Sequence, residues 1–256
     1  MQMKKFGLIG FPLSHSFSKK YFTEKFENEK IEGCVYELYE IPEVDKLPQI
    51  LLQNPELKGI NVTIPYKKDV LKFLDEIDHS ARKIGAVNVL KVGEFGKIKG
   101  FNSDYYGFME SLKKFIGYSE NIKIKALILG YGGASLAVKT VLEDLNIDFA
   151  YVSRSAEKVR EKEQVNCYTY DDLKTGVFKD YKLIINTTPL GMSPNLDASP
   201  DIPYQELNSE YFLYDLVYNP EETVFMKKGK EKGANVKNGL EMLVLQAEKS
   251  WEIWNS

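Results

Sequence analysis

Cysteine, histidine and long apolar runs are all scarce in this chain of 256 residues, and each shortage removes a class of protein. The two cysteines, Cys34 and Cys167, lie too far apart in sequence to suggest a disulfide framework or a zinc-ligand spacing, and the two histidines add none. So little cysteine points to a reducing cytoplasm. No stretch reaches the roughly 18 apolar residues of a spanning helix. Lys4 and Lys5 ahead of the apolar Phe6–Leu13 imitate a signal peptide, but glycines and a proline interrupt that run and no small-residue cleavage pattern follows. The segment therefore reads as a first β-strand. An excess of one charge is also missing: 34 basic residues face 37 acidic ones, a net charge of −3, which gives no electrostatic case for nucleic acid or an anionic membrane. Hydrophobic residues, at 43%, are too frequent for a disordered chain.

The length suits two domains, and strand and helix patterns alternate. Strands are expected at Lys5–Ile9, Val35–Tyr39, Gly59–Ile64, Ala86–Val92, Lys123–Leu129, Phe149–Val152, Leu183–Asn186, Phe212–Leu216 and Asn235–Val236. Helices are expected at Ser18–Asn28, Val44–Asn54, Tyr66–Leu74, Asp104–Phe115, Ala134–Asp144, Glu222–Lys232 and Gly239–Trp254. This alternation predicts α/β units whose parallel sheets are covered on both faces. The boundary falls at the helix Asp104–Phe115, between residues 1–104 and 105–239. The last helix carries an apolar stripe (Leu240, Leu243, Val244, Ala247, Trp251, Trp254) that suits either domain.

The strand Lys123–Leu129 runs into Gly130, Tyr131, Gly132, Gly133 and Ala134 and then a helix, the context of a dinucleotide fingerprint. Glycines there permit a tight turn and let a diphosphate approach helix N–H groups. The third fingerprint glycine is replaced by Ser135. After the next strand, where an NAD-binding fold carries an acid, the chain reads Ser153-Arg154-Ser155; a guanidinium between two hydroxyls suits the 2′-phosphate of NADP. Asn186-Thr187-Thr188-Pro189 ends another strand and reads equally as a cofactor-lining turn or as simple turn chemistry.

In the first half, Ser16 and Ser18 lie at a helix start, where they either cap the helix or receive a carboxylate. His15 beside them reads as structural. Thr63 and Lys67 follow one strand, Asn88 lies in another, and Asn102-Ser103-Asp104 opens a helix. Taken alone, Asp104 is an ordinary first-turn acid and Lys67 an ordinary surface lysine. The short-chain reductase pair Tyr-x-x-x-Lys is matched only by Tyr21/Lys25 and Tyr170/Lys174, both wrongly placed relative to the glycine loop. No Gly-x-Ser-x-Gly elbow or P-loop occurs.

Taken in order, the segments Phe11–Ser18, Asn61–Lys67, Gly85–Asn88, Gly100–Asp104, Gly130–Ser135, Ser153–Ser155, Asn186–Met192, Asp215–Pro220 and Gly239–Ala247 make the chain similar to the shikimate dehydrogenases. The resemblance implies an N-terminal mixed or parallel α/β substrate domain, a Rossmann-type NADP-binding domain, and a last helix that packs back on the substrate domain, so that residues 240–256 join residues 1–104. It implies that Ser16 and Ser18 bind the substrate carboxylate and that Thr63, Asn88, Asp104 and Gln246 hold ring hydroxyls, with Tyr218 also facing the substrate. It makes Lys67 the acid/base residue, working beside Asp104. Gly130, Tyr131, Gly132, Gly133, Ala134, Ser153, Arg154, Ser155, Lys158, Thr187, Leu216 and Gly239 are the implied NADP contacts. The sequence departs from the commonest family pattern at Lys19, Val89, Ser153 and Ser155.

The implied reaction is the reversible, NADPH-dependent reduction of 3-dehydroshikimate to shikimate, on the route to chorismate and the aromatic amino acids. No metal is implied, and the protein is expected as a monomer or homodimer without nucleic-acid or membrane partners. Two other readings stay open: a quinate/shikimate dehydrogenase paralogue using NAD, and a non-catalytic NADP-binding sensor on the same fold.

Overall fold

A computed structural model describes residues 3–13 and 16–256, so His15 lies outside the described residues. The chain divides into two units, residues 1–106 with 244–256 and residues 107–243.

The first unit contains β1 (Lys4–Gly10), α1 (Phe17–Asn28), β2 (Cys34–Glu40), α2 (Leu47–Gln53), β3 (Leu57–Val62), β4 (Glu76–Ile77), α3 (His79–Ile84), β5 (Val89–Val92), β6 (Ile98–Phe101) and the start of α4 (Ser103–Ile116). Its sheet has the order β2-β1-β3-β5-β6-β4. β1 pairs in parallel with β2 and β3, whereas β5 runs antiparallel to both β3 and β6. The sheet of this unit is thus mixed: β5 and β6 are joined by the short connection Gly93–Lys97, and only an antiparallel pair can close so tightly. That hairpin also hid β6 from the sequence pattern.

The expected helix Tyr66–Leu74 is a turn followed by a 3₁₀ segment, Asp69–Phe73. The cause is visible in the backbone. The Lys67 carbonyl accepts the Val87 N–H at 2.7 Å, while the Leu71 N–H donates instead to Lys68, so the α-helical ladder is interrupted at Lys67 itself.

The second unit contains β7 (Ala126–Leu129), α5 (Gly133–Asp144), β8 (Phe149–Val152), α6 (Ala156–Glu163), β9 (Cys167–Tyr168), β10 (Leu183–Asn186), β11 (Phe212–Asp215), α7 (Val224–Glu231), β12 (Asn235–Lys237) and the start of α8 (Leu240–Asn255). All its strands are parallel, in the order β12-β11-β10-β7-β8-β9. They are short and apolar, as strands buried on both faces are; Ala126–Leu129, Ala150–Val152 and Leu183–Ile185 are fully buried. The chain steps outward from β7 to β8 and β9, then returns to β10 on the other side of β7. The gap between β7 and β10 is therefore the topological switch point, where open α/β sheets bind ligands beyond the strand ends.

The later part of α8 belongs to the first unit. There Trp254 stacks on Phe6 with ring centroids 4.9 Å apart, and its indole N–H donates to the Leu90 carbonyl at 3.0 Å. The indole lies so close over Gly59 that a β-carbon there would be 2.1 Å from it, which accounts for a glycine inside a strand. Among the described residues, no helix is long and apolar enough to cross a membrane.

Candidate active site

The feature that organises the first unit's site is the short segment Ala86–Asn88 between α3 and β5. Its Val87 N–H holds the Lys67 carbonyl, as above. Its Ala86 carbonyl accepts from Asn102 Nδ2 at 2.9 Å. Its Asn88 Oδ1 accepts the Ser103 N–H at 2.7 Å, and Asn88 Nδ2 donates to Ser103 Oγ at 3.1 Å. Asn102 Oδ1 in turn accepts the Tyr105 N–H at 3.2 Å, so two asparagines satisfy free N–H groups at the start of α4. One stretch of backbone thereby fixes both the lysine turn and the first residues of α4. The outcome is an ion pair: Lys67 Nζ donates to Asp104 Oδ2 at 2.7 Å. The two side chains remain 32% and 17% exposed, sheltered from bulk solvent yet reachable by a small molecule.

A second layer lies beneath. Tyr36 is buried, which pushes its phenol up, while a hydrogen bond with Ser18 works against that rise. The Tyr36 hydroxyl donates to Asn61 Oδ1 at 2.8 Å, and Asn61 Nδ2 donates to Ser250 Oγ at 3.0 Å and to the Asn88 carbonyl at 3.4 Å. Ser250 donates to the Gln246 carbonyl at 2.8 Å. Ser18, Asn88 and Gln246, distant in sequence, are thus joined through Tyr36, Asn61 and Ser250. Sequence reasoning did not single out these three connectors. The available signals were a polar residue inside the strand around Asn61 and a serine within the last helix.

Ser16 caps α1, its hydroxyl oxygen accepting from the Lys19 N–H at 3.2 Å. The cap leaves the Ser16 hydroxyl proton free to donate, so capping and anion binding are compatible. Thr63 follows β3 with its methyl against Gly10 at the end of β1. Tyr218 is half-buried after β11 and belongs to the second unit, unlike the other expected substrate residues.

In the second unit the expected cofactor residues cluster at the carboxyl ends of the parallel strands. Gly130, at φ +95°, follows β7, and a β-carbon there would meet Thr188 Cγ2 at 2.7 Å and Thr187 Oγ1 at 3.2 Å. Thr187 follows β10, its hydroxyl donating to the Leu129 carbonyl at 2.8 Å, so the two turns flank the switch point. Gly132 and Gly133 open α5 with empty space where a β-carbon would project. Ser135, at the third fingerprint position, is buried; its hydroxyl accepts the Gly132 N–H at 3.0 Å and donates to the Gly132 carbonyl at 2.8 Å. Ala134 is exposed in the first turn of α5.

After β8, the Ser153 hydroxyl accepts the Ser155 N–H at 3.2 Å, while Arg154, Ser155 and Lys158 are exposed. Among the described residues neither Arg154 nor Lys158 pairs with a carboxylate. Leu216 and Gly239 meet backbone to backbone, a β-carbon on Gly239 falling 2.2 Å from the Leu216 carbonyl oxygen. Asp215, at the end of β11, is fully buried and accepts from Asn186 Nδ2, the Val217 N–H and the Thr223 hydroxyl. Burial pushes its carboxyl up to about 6 against these three donors. A strand-exit turn beside an open glycine helix start, with two cations after the neighbouring strand that have no carboxylate partner among the described residues, fits a phosphorylated dinucleotide. No cluster of metal-ligating side chains occurs among the described residues.

Comparisons with known proteins agree with this geometry. Residues 8–90 match the family model described as the shikimate dehydrogenase substrate binding domain. The chain is 42% identical to the NADP(+) shikimate dehydrogenase of Clostridium beijerinckii, over 98% of this chain and 92% of the relative. Among solved structures it is similar to a chorismate mutase/shikimate 5-dehydrogenase fusion protein from Clostridium acetobutylicum, with 40% identity, a TM-score of 0.83, and 100% and 92% of the two chains covered. It is also similar to the Thermus thermophilus shikimate 5-dehydrogenase in complex with NADP(H) and shikimate, with 31% identity, a TM-score of 0.83, and 98% and 93% covered.

Proposed function

Because this chain belongs to the shikimate dehydrogenase family, we propose that it catalyses the reversible NADP-dependent interconversion of 3-dehydroshikimate and shikimate. The observation that carries the reading is the 2.7 Å contact of Lys67 with Asp104, held by the Ala86–Asn88 segment in the unit that matches the family's substrate-binding model. The first unit is the substrate domain and the second the NADP domain.

When bound, the nicotinamide supplies the hydride for ketone reduction and accepts it in the reverse direction. Lys67 holds the proton that must reach the carbonyl oxygen as negative charge develops there, and takes it back in the oxidation. Asp104 orients the ammonium and accepts from a ring hydroxyl. Asn88 has its oxygen and one amide hydrogen committed to Ser103, so it offers its remaining N–H to a substrate hydroxyl. Thr63 and Gln246 hold the other hydroxyls, Ser16 and Ser18 receive the carboxylate, and Tyr218 faces the substrate. Gly130–Ala134, with Thr187, Leu216 and Gly239, receive the diphosphate and nicotinamide half of the cofactor. Ser153, Arg154, Ser155 and Lys158 take the 2′-phosphate. The absence of an acid after β8 supports NADP over NAD. The protein works in the cytoplasm, and a monomer or a homodimer serves this chemistry equally.

The test is absorbance at 340 nm with shikimate or quinate and with NADP+ or NAD+. The proposal expects turnover with shikimate and NADP+ to exceed every other combination. No turnover with that pair would overturn it.

A further inference from the structure

Between Gly130 and Gly133 the glycine loop has a single side chain, Tyr131, by which the rest of the fold can hold it. A loop of three glycines has little stiffness of its own, since glycine gives up more conformational freedom on ordering than any other residue. Two backbone anchors fix its ends: Gly130 N–H donates to the Val152 carbonyl at 2.8 Å, and Gly132 closes on Ser135. Among the described residues, the side chain that holds the middle is Tyr131.

Its ring is committed inward. It meets Tyr151 edge-on with centroids 5.4 Å apart, and the Lys162 ammonium lies 5.4 Å from its centroid. Its hydroxyl donates to Glu163 Oε1 in a short hydrogen bond. The other oxygen, Glu163 Oε2, accepts from Lys139 Nζ at 2.6 Å. Glu163 is the last residue of α6, Lys139 lies on α5, and both side chains are largely buried. One carboxylate thus ties together the glycine loop, the helix that follows it and the helix that starts beyond Arg154. A hydrogen bond to an ionised acceptor is stronger than a neutral one, and the lysine keeps that acceptor ionised and oriented.

We propose that Glu163, through Tyr131, is a positioning residue that holds the glycine loop in the shape that receives the cofactor diphosphate. The proposal rests on the NADP reading above. With its ring and hydroxyl engaged, Tyr131 is not assigned as a stacking platform, and Glu163 acts through Tyr131 and not on the ligand. The clamp grips the diphosphate end of the site and leaves the 2′-phosphate residues at the start of α6 unchanged. It therefore predicts different responses to two ligands, one with a diphosphate and one without.

The experiment measures dissociation constants of NADP+ and of adenosine 2′-monophosphate by calorimetry, with no turnover involved, for the parent, Tyr131→Phe, Glu163→Ala and the double variant. Tyr131→Phe keeps the ring against Tyr151 and deletes only the hydroxyl, so it preserves the fold. Each single variant is expected to weaken NADP+ by roughly tenfold. The double variant should weaken it no further, because both changes break one contact. Adenosine 2′-monophosphate, which lacks a diphosphate, should bind within about twofold of the parent throughout. Glu163→Gln keeps an acceptor for the phenol and should recover most of the NADP+ affinity. Unchanged NADP+ binding in Tyr131→Phe and Glu163→Ala would overturn the clamp, as would equal losses for both ligands. A parent that binds neither ligand would overturn the cofactor reading and the clamp together.

Discussion

Lys67 and Asp104 are ion-paired at 2.7 Å, although one follows a strand and the other opens a helix 37 positions later. Asn88 and Val87, from a third segment, hold the backbone on both sides of that contact. If this pair performs the proton transfer, Lys67→Met removes the transferable proton while nearly preserving side-chain volume. Turnover with shikimate and NADP+ is expected to fall by on the order of 10²–10⁴, with NADP+ affinity unchanged by calorimetry. Near-parental kcat in this variant would remove Lys67 from the mechanism.

Arg154 follows β8 exposed and, among the described residues, without a carboxylate partner, one residue after Ser153. Arg154→Ala deletes a cation from the 2′-phosphate position and should raise KM for NADP+ by roughly tenfold or more, in line with the weight of a charge-assisted phosphate contact. KM for NAD+ should stay within about twofold. A parallel rise for both dinucleotides would place Arg154 elsewhere in the site.

The buried carboxyl of Asp215 titrates near 6, against an ordinary value of 3.8. Between those two values the unfolded chain has released this proton while the folded chain keeps it. The contribution of Asp215 to stability is therefore greatest below pH 3.8, falls as pH rises towards 6, and is flat above. At about 1.4 kcal/mol per unit, the span is about 3 kcal/mol. Asp215→Asn lacks this titration. Urea unfolding of both proteins from pH 4 to 7 should show the parent losing stability relative to the variant across that window, and parallel curves would contradict the assignment.

Trp254 fills the space over Gly59, stacks on Phe6 and satisfies the Leu90 carbonyl. Trp254→Ala should cost about 3–5 kcal/mol, the range for deleting a large buried aromatic ring. Thermal unfolding reads the loss directly, and a shift of less than a degree would show that the first unit does not depend on this plug.

Much of the second unit was legible because each of its signals is local. Leu127–Leu129 followed by glycines, or Ala150–Val152 followed by Ser153, announces a strand and its exit within a few residues. The first unit was harder to read for a physical reason. Whether residues 66–74 form an α-helix was decided by Val87, which takes the Lys67 carbonyl, and no periodicity within the segment encodes that competition. β4 and β9, two residues each, fall below the length at which alternation can be seen. The connectors Tyr36, Asn61 and Ser250 act only because the fold brings three remote segments together. Asn61 and Ser250 are polar residues within apolar patterns, and a buried polar group in such a place requires partners. The pairing of Lys67 with Asp104 followed from resemblance and not from spacing.

The interleaving of the first unit has a consequence for the order in which the chain is made. Residues 1–106 are made before the second unit, yet their interior is finished by Trp254, which is made after it. Until then Phe6, Gly59 and the Leu90 carbonyl lack the indole that covers them, and the newborn half must wait, incompletely sealed, while the whole second unit is translated. The second unit is one uninterrupted run of chain and carries no such debt, so it is the half able to mature first.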